Sequence, residues 1–404
     1  MVVARSLPNE RPVRLNQTTL RHGSAVRPEL FPVMRTLDEV KTECQARADR
    51  NAYPLSGLVP AEVREALARL TSLDRDAWAA SWSQIGDRYM GAGEALGRGT
   101  PQAREKFMAA WRYYSFARWP VPLSAGKERA YGKAMQAFLA AAESLDPKVE
   151  VVRIPFEGSE IVGYLRLPAN AGGPVPVIIA IGGLDSRKED MIERFDALLP
   201  HGIGCFGFDQ PGTGEAPVPL APGSERMFSR AIDYLRERAD VDSSKIAVFG
   251  GSFGAHWAAK LAVTERERLC AVVAQSPPVH DAFQPDFLHT AFVTKEYLFD
   301  RGPALASMYV GVETPEQFLA AAQRNSLVEQ GWLEQPSVEP MLVVAGVHDT
   351  QVPIADIDLL LKSGNPKHAW INPNGGHMGR EAKGWIDPVI FKKITMPWIV
   401  EALR

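Results

Sequence analysis

The hydrophobic period changes once along this chain, at Asp146-Pro147, and that change constrains the fold more than any other feature. After it, short uninterrupted apolar runs alternate with stretches of helical period. The runs are Pro176–Ile181, Ile203–Phe208, Lys245–Phe249, Cys270–Gln275, Met341–Ala345 and His368–Asn372. The helical stretches are Arg187–Leu199, Ser224–Ala239, Phe253–Val263, Ile354–Lys362 and Val389–Leu403. A strand that is apolar throughout, rather than at every second residue, is buried on both faces. Alternation with helices supplies the cover, so the pattern predicts an α/β fold around a parallel sheet. Val149–Phe156 and Glu160–Leu167, either side of Glu157-Gly158-Ser159, read as a preceding β-hairpin. The interval 277–340 is too long for a connection and is expected to hold two or three further helices.

Before Asp146 the period is helical. Pro60-Ala61-Glu62 has the proline and acid of a first helical turn. Trp78, Trp82, Ile85 and Tyr89 form one apolar stripe; Phe107, Trp111 and Tyr114, then Tyr131, Met135 and Phe138, form two more. The expected organisation is an irregular arm over 1–35, a helical domain over 36–147, and an α/β domain over 148–404 with a helical insertion at 277–340. The sheet half carries its own flanking helices, so the helical leader is expected to cover the carboxyl ends of the strands as a cap.

Chemistry concentrates at those carboxyl ends. Gly250-Gly251-Ser252-Phe253-Gly254 contains G-x-S-x-G between a strand and a small-residue helix, the context of a nucleophile elbow. A serine hydroxyl needs a base, and the base an orienting acid. Asp349 lies just past the run ending at Ala345, and His377 lies in a glycine-lined loop after the run ending at Asn372. The order Ser, Asp, His is that of elbow hydrolases. Asp356, on the following helix, reads as solvated. The expected oxyanion donors are the N–H groups of Phe253 and of Leu184 in Gly182-Gly183-Leu184-Asp185, where Gly183 lets the backbone turn. Asp185 reads first as the N-cap of the helix opening at Arg187, and otherwise as a polar contact in the site.

The same residues resemble the α/β-hydrolase superfamily, joined by Phe208-Asp209-Gln210-Pro211-Gly212-Thr213-Gly214. The helical leader with Tyr113-Tyr114 and Trp119, followed by Pro155-Phe156-Glu157-Gly158 and Gly163-Tyr164-Leu165-Arg166, narrows the resemblance. It is to the subfamily of 2,6-dihydroxypseudooxynicotine hydrolase, fermentation–respiration switch esterase-like proteins and fungal polyketide-shortening hydrolases, over roughly residues 75–404. That resemblance implies a mostly parallel eight-stranded sheet with an N-terminal helical cap. It also implies Ser252, Asp349 and His377 as triad, with Leu184 and Phe253 as hole. Some members cleave a carbon–carbon bond beside a ketone, so the expected substrate is a small aromatic or polyketide-like ester or ketone. Two other readings stay open: an acyltransferase using the same acyl-enzyme, and a non-catalytic binding protein on this scaffold.

Other classes find little support. Lys plus Arg number 45 and Asp plus Glu 48, for a net charge of −3, which offers no field for nucleic acid or an anionic membrane. Gly202-Ile203-Gly204-Cys205-Phe206-Gly207 matches G-x-G-x-x-G, but it follows a helix and enters a strand, the reverse of a dinucleotide site. No cofactor and no metal are expected, and the partner is a small-molecule substrate; a homodimer is left open. Three scattered cysteines, and first residues bearing Arg5, Glu10, Arg11 and Arg14 without an apolar core, lead us to expect a cytoplasmic protein with no secretory leader.

Overall fold

The continuous apolar runs form the strands of one eight-stranded sheet in the computed structural model, which describes residues 31, 35–169 and 171–404. The expected arm over 1–35 therefore lies, apart from residues 31 and 35, outside the described residues. Five helices come first: α1 (Leu37–Asp49), α2 (Pro60–Arg69), α3 (Arg75–Leu96), α4 (Pro101–Ala117) and α5 (Ala125–Ala142). Their starts are chemically marked. Thr36, Asp74, Thr100 and Ser124 each accept an N–H from the first turn of the helix they precede, and Pro60 and Pro101 occupy first positions. Each such cap contributes about 1 kcal/mol.

The hairpin β1 (Glu150–Phe156) and β2 (Ser159–Arg166) turns through Glu157 and Gly158, both with positive φ. The remaining strands are β3 (Val175–Ile181), β4 (Gly204–Phe208), β5 (Val241–Gly251), β6 (Ala271–Gln275), β7 (Met341–Gly346) and β8 (His368–Asn372). Their spatial order is β1-β2-β4-β3-β5-β6-β7-β8, antiparallel at β1, β2 and β4 and parallel from there on. Helices α6 (Lys188–Phe195), α7 (Arg226–Arg236) and α8 (Phe253–Thr264) connect the central strands. The insertion carries α9 (Pro285–Ala291), α10 (Arg301–Ala306) and α11 (Pro315–Gln323). Helix α12 (Ile354–Lys362) precedes β8, and the chain ends in α13 (Asp387–Ile390), a π turn and α14 (Met396–Ala402).

Two helices are less regular than their period implied. α6 stops at Phe195 and continues as a 3-10 turn over Asp196–His201, because Pro200 has no N–H for the α ladder. The expected Val389–Leu403 helix is broken by the π turn Phe391–Thr395, just before Pro397.

The leader packs on both faces of the sheet. Phe138 of α5 stacks on Tyr164 of β2 (centroids 5.6 Å apart, 10° between planes), and Ala134, Ala137, Trp111 and Tyr114 join the apolar cluster on that face of the sheet. Trp78, Trp82 and Phe116 belong to the cluster on the other face. The leader thus completes both layers of the core; the period of its helices gave their apolar faces but not the surfaces those faces meet.

Candidate active site

Ser252 occupies the turn between β5 and α8 with φ 53° and ψ −124°. A left-handed, non-glycine residue costs of order 1–3 kcal/mol, and such strain persists only where the surroundings over-determine it. Here the Ser252 N–H donates to Gln275 O at 2.8 Å, and the flanking glycines admit backbone on either side. A Cβ on Gly250 would overlap Gly254 O, and one on Gly254 would lie 2.5 Å from Gly182 O and Ile181 O.

The structure brings Ser252, His377 and Asp349 into one chain of hydrogen bonds. Ser252 Oγ lies 2.8 Å from His377 Nε2, and His377 Nδ1 lies 2.9 and 3.1 Å from the two Asp349 oxygens. With a carboxylate on the Nδ1 side, the neutral ring carries its proton there and leaves Nε2 to accept the serine hydrogen. Asp349 also accepts from the N–H groups of Gln351 (2.8 Å) and Val352 (2.9 Å). Burial alone would push its carboxyl up; the facing His377 and these N–H groups hold it below the ordinary range.

The N–H groups of Phe253 and Leu184 have no protein acceptor among the described residues. Gly183 serves close approach rather than a turn. Its φ is not left-handed, and a Cβ there would lie 3.1 Å from Ser252 Cβ. Asp185 is not a helix cap: Arg187, whose N–H donates to Asp190, holds the position before α6, and Asp185 accepts no N–H of its first turn. Instead Asp185 Oδ2 accepts from Trp119 Nε1 (3.1 Å) and Tyr297 Oη (3.0 Å). Burial and the adjacent carboxylate push the Tyr297 phenol well up, so it remains a donor. Asp356 is not solvated either. It is fully buried and accepts from Val279, Asp281 and Ala282 N–H, tying α12 to the loop after β6.

These groups open on a cavity of about 860 Å³. One part is apolar, with Phe253, Phe283, Leu288, Tyr309 and Phe318; the part nearer the leader holds Asp185, Tyr297, Tyr53, Phe116 and Trp119. The Trp78 stripe of α3 takes no part. It packs on Phe116 and Phe299, while the end of α4 and the α1–α2 loop line the cavity.

Three supporting residues were not singled out from the sequence. Gln275 and Ser276, at the end of β6, hold the backbone after the histidine: Gln275 Nε2 donates to Met378 O (2.9 Å) and Met378 N to Ser276 Oγ (2.9 Å). A polar residue closing an apolar run was their only signal. Glu296 had none, because nothing in the insertion's pattern relates it to the strand ends. Among the described residues, no group of three or more His, Cys, Asp or Glu side chains is arranged to hold a metal ion, and no helix is long and apolar enough to cross a membrane.

A family profile described as esterase FrsA-like matches residues 47–371. Among curated proteins, Esterase FrsA of Vibrio vulnificus is 28% identical over 346 residues, covering 79% of this chain and 81% of that one. The α/β hydrolase ucsC of an Acremonium species is 28% identical over 259 residues, 57% of this chain and 52% of the fungal protein, so the match spans about half of that relative. Among solved structures, 2,6-dihydroxy-pseudo-oxynicotine hydrolase superposes with a TM-score of 0.70 at 22% identity, covering 89% of this chain and 95% of that one. Its likeness shows the α/β-hydrolase fold.

Proposed function

Because the chain belongs to the FrsA-like esterase family and is a hydrolase of the α/β type, we propose that it works through Ser252, His377 and Asp349. The proposed substrate is a small aromatic or polyketide-like compound, cleaved at an ester or at a carbon–carbon bond beside a ketone. The observation that carries this reading is the Ser252–His377–Asp349 relay opening on a cavity whose wall includes the rings of Phe253, Phe283, Tyr309, Tyr297 and Trp119. His377 Nε2 takes the hydroxyl proton as Oγ attacks the carbonyl carbon, and the charge on the carbonyl oxygen falls to the Phe253 and Leu184 N–H groups. Asp349 stabilises the imidazolium while it lasts. The same proton passes to the leaving alkoxide or carbanion, and water repeats the sequence on the acyl-enzyme. Ester and activated carbon–carbon bonds share this path because both pass through a tetrahedral oxyanion. The helices over 36–147 are proposed as the cap that selects the substrate, since Tyr53, Phe116 and Trp119 share the cavity with Ser252.

The test is a panel of aryl esters and aryl 1,3-diketones with the wild-type protein and Ser252→Ala. Turnover of at least one class is expected, with kcat lowered about 10⁴-fold or more in the variant and an unchanged thermal midpoint. A variant that keeps its rate would exclude Ser252 as nucleophile.

A further inference from the structure

Four consecutive carbonyl groups in the irregular stretch before α10 are held by two arginines of the leader. Arg35 donates to the carbonyls of Lys295, Tyr297 (2.6 Å) and Leu298 (2.8 Å), and Arg47 Nη2 donates to that of Glu296 (2.9 Å). Lys295 Nζ adds an ion pair to Glu39 of α1 at 2.5 Å. A backbone fixed this way presents its side chains in a set direction. Two of those side chains reach all three loops of the site. Glu296 Oε1 accepts the N–H of His377 (2.6 Å), while Oε2 accepts both N–H (3.0 Å) and Oγ1 (2.6 Å) of Thr350, the residue after Asp349. Tyr297 Oη donates to Asp185 beside Leu184, and its ring stacks on Trp119 (centroids 5.0 Å, 24°).

We propose that Lys295–Leu298 is a strap setting the acid, base and oxyanion loops relative to one another, and that Glu296 is its positioning residue. The proposal rests on the Ser252–His377–Asp349 reading. The hydrogen bonds of Glu296 in these loops go to two backbone N–H groups and a hydroxyl, not to the His377 ring nitrogens. Its effect is therefore geometric. It holds the base loop and the acid loop to one carboxylate, so that the imidazole stays in line with both Oγ and Asp349. An ångström of misplacement in such a relay costs about 10²-fold in rate. That cost falls on kcat, because the Michaelis complex does not need the proton to move.

Glu296→Ala, Glu296→Gln and Ser252→Ala are to be compared on one ester substrate, with thermal midpoints taken in parallel. Glu296→Ala is expected to lower kcat about 10- to 100-fold with KM within about threefold. Glu296→Gln is expected to recover only part of that loss: its amide oxygen can still accept from His377 N, but its NH2 cannot accept the Thr350 N–H, so kcat should stay several-fold below native. Should Glu296→Ala lose its thermal midpoint, Glu296→Gln, of the same shape, decides the matter: a several-fold lower kcat with native KM supports the strap, and a native kcat overturns it. Native kcat in Glu296→Ala, or a loss confined to KM in either variant, overturns the strap. If Ser252→Ala is inactive in that experiment, only the strap falls; if Ser252→Ala is active, the triad reading itself falls.

Discussion

At the scale of single residues, position after a strand was the informative signal. That Ser252, Asp349 and His377 come together was legible because each lies at the carboxyl end of an apolar run, and those ends share one edge of a parallel sheet. The roles of Asp185 and Asp356 were not, because their partners are distant: Trp119 and Tyr297 for one, the Val279–Ala282 N–H groups for the other. Asp349 yields a two-part prediction. Asp349→Asn presents an amide N–H or a weaker acceptor to Nδ1, and kcat should fall about 10³- to 10⁴-fold. Its effect on stability should depend on pH in one direction. The folded carboxyl lies below its unfolded value of about 3.9, so its ionised form stabilises the fold at every pH above that value. The contribution is lost as pH falls through the folded value. Denaturant titrations should therefore give a gap between wild type and variant that narrows as pH falls below about 4. A gap that widens on acidification would contradict the assignment.

Among elements, the helical and strand periods located every strand and most helices, but not which apolar face meets which neighbour. The α3 stripe shows this at Trp78, whose apolar face was legible but whose neighbours were not. The stripe is a packing seam: Trp78 is 1% exposed, donates Nε1 to Phe116 O and lies edge-on to Phe299. The cavity wall is made one helix later, where α4 ends and Trp119 turns toward Asp185. Two substitutions should separate these roles. Trp78→Ala removes a buried indole and should cost about 3–5 kcal/mol of stability, with the KM of the folded protein retained. Trp119→Phe keeps most of the ring but leaves Asp185 with one donor fewer; it should cost about 1 kcal/mol or less and change kcat/KM several-fold. Equal effects on stability from both would mean that Trp119 is also only a core residue.

For the whole molecule, the leader is part of the core that the sheet is built on. Beyond the Phe138–Tyr164 stack, α5 supplies Tyr131, whose hydroxyl donates to Asp209 (3.2 Å) beside the fully buried Lys188. That lysine faces Asp209 at 3.1 Å, Glu215 at 2.8 Å and Glu189 at 3.4 Å, an ionic cluster that tolerates little loss of its cover. A chain lacking residues 1–145 is therefore expected to show no cooperative thermal transition and no near-ultraviolet circular dichroism. A cooperative, well-packed fragment would show that the sheet half stands alone. The shared core also bears on how such proteins can diversify. Recombination at the boundary near residue 146, where the period changes, would cut through both apolar layers at once. The α1–α2 loop and the end of α4 touch the cavity, whereas the α3 stripe and the sheet-facing side of α5 pack the interior. A cavity-lining residue such as Ser56 of the α1–α2 loop, exposed rather than packed, can change without disturbing the interior, whereas Phe116 at the end of α4 lines the cavity and packs on Trp78 at once.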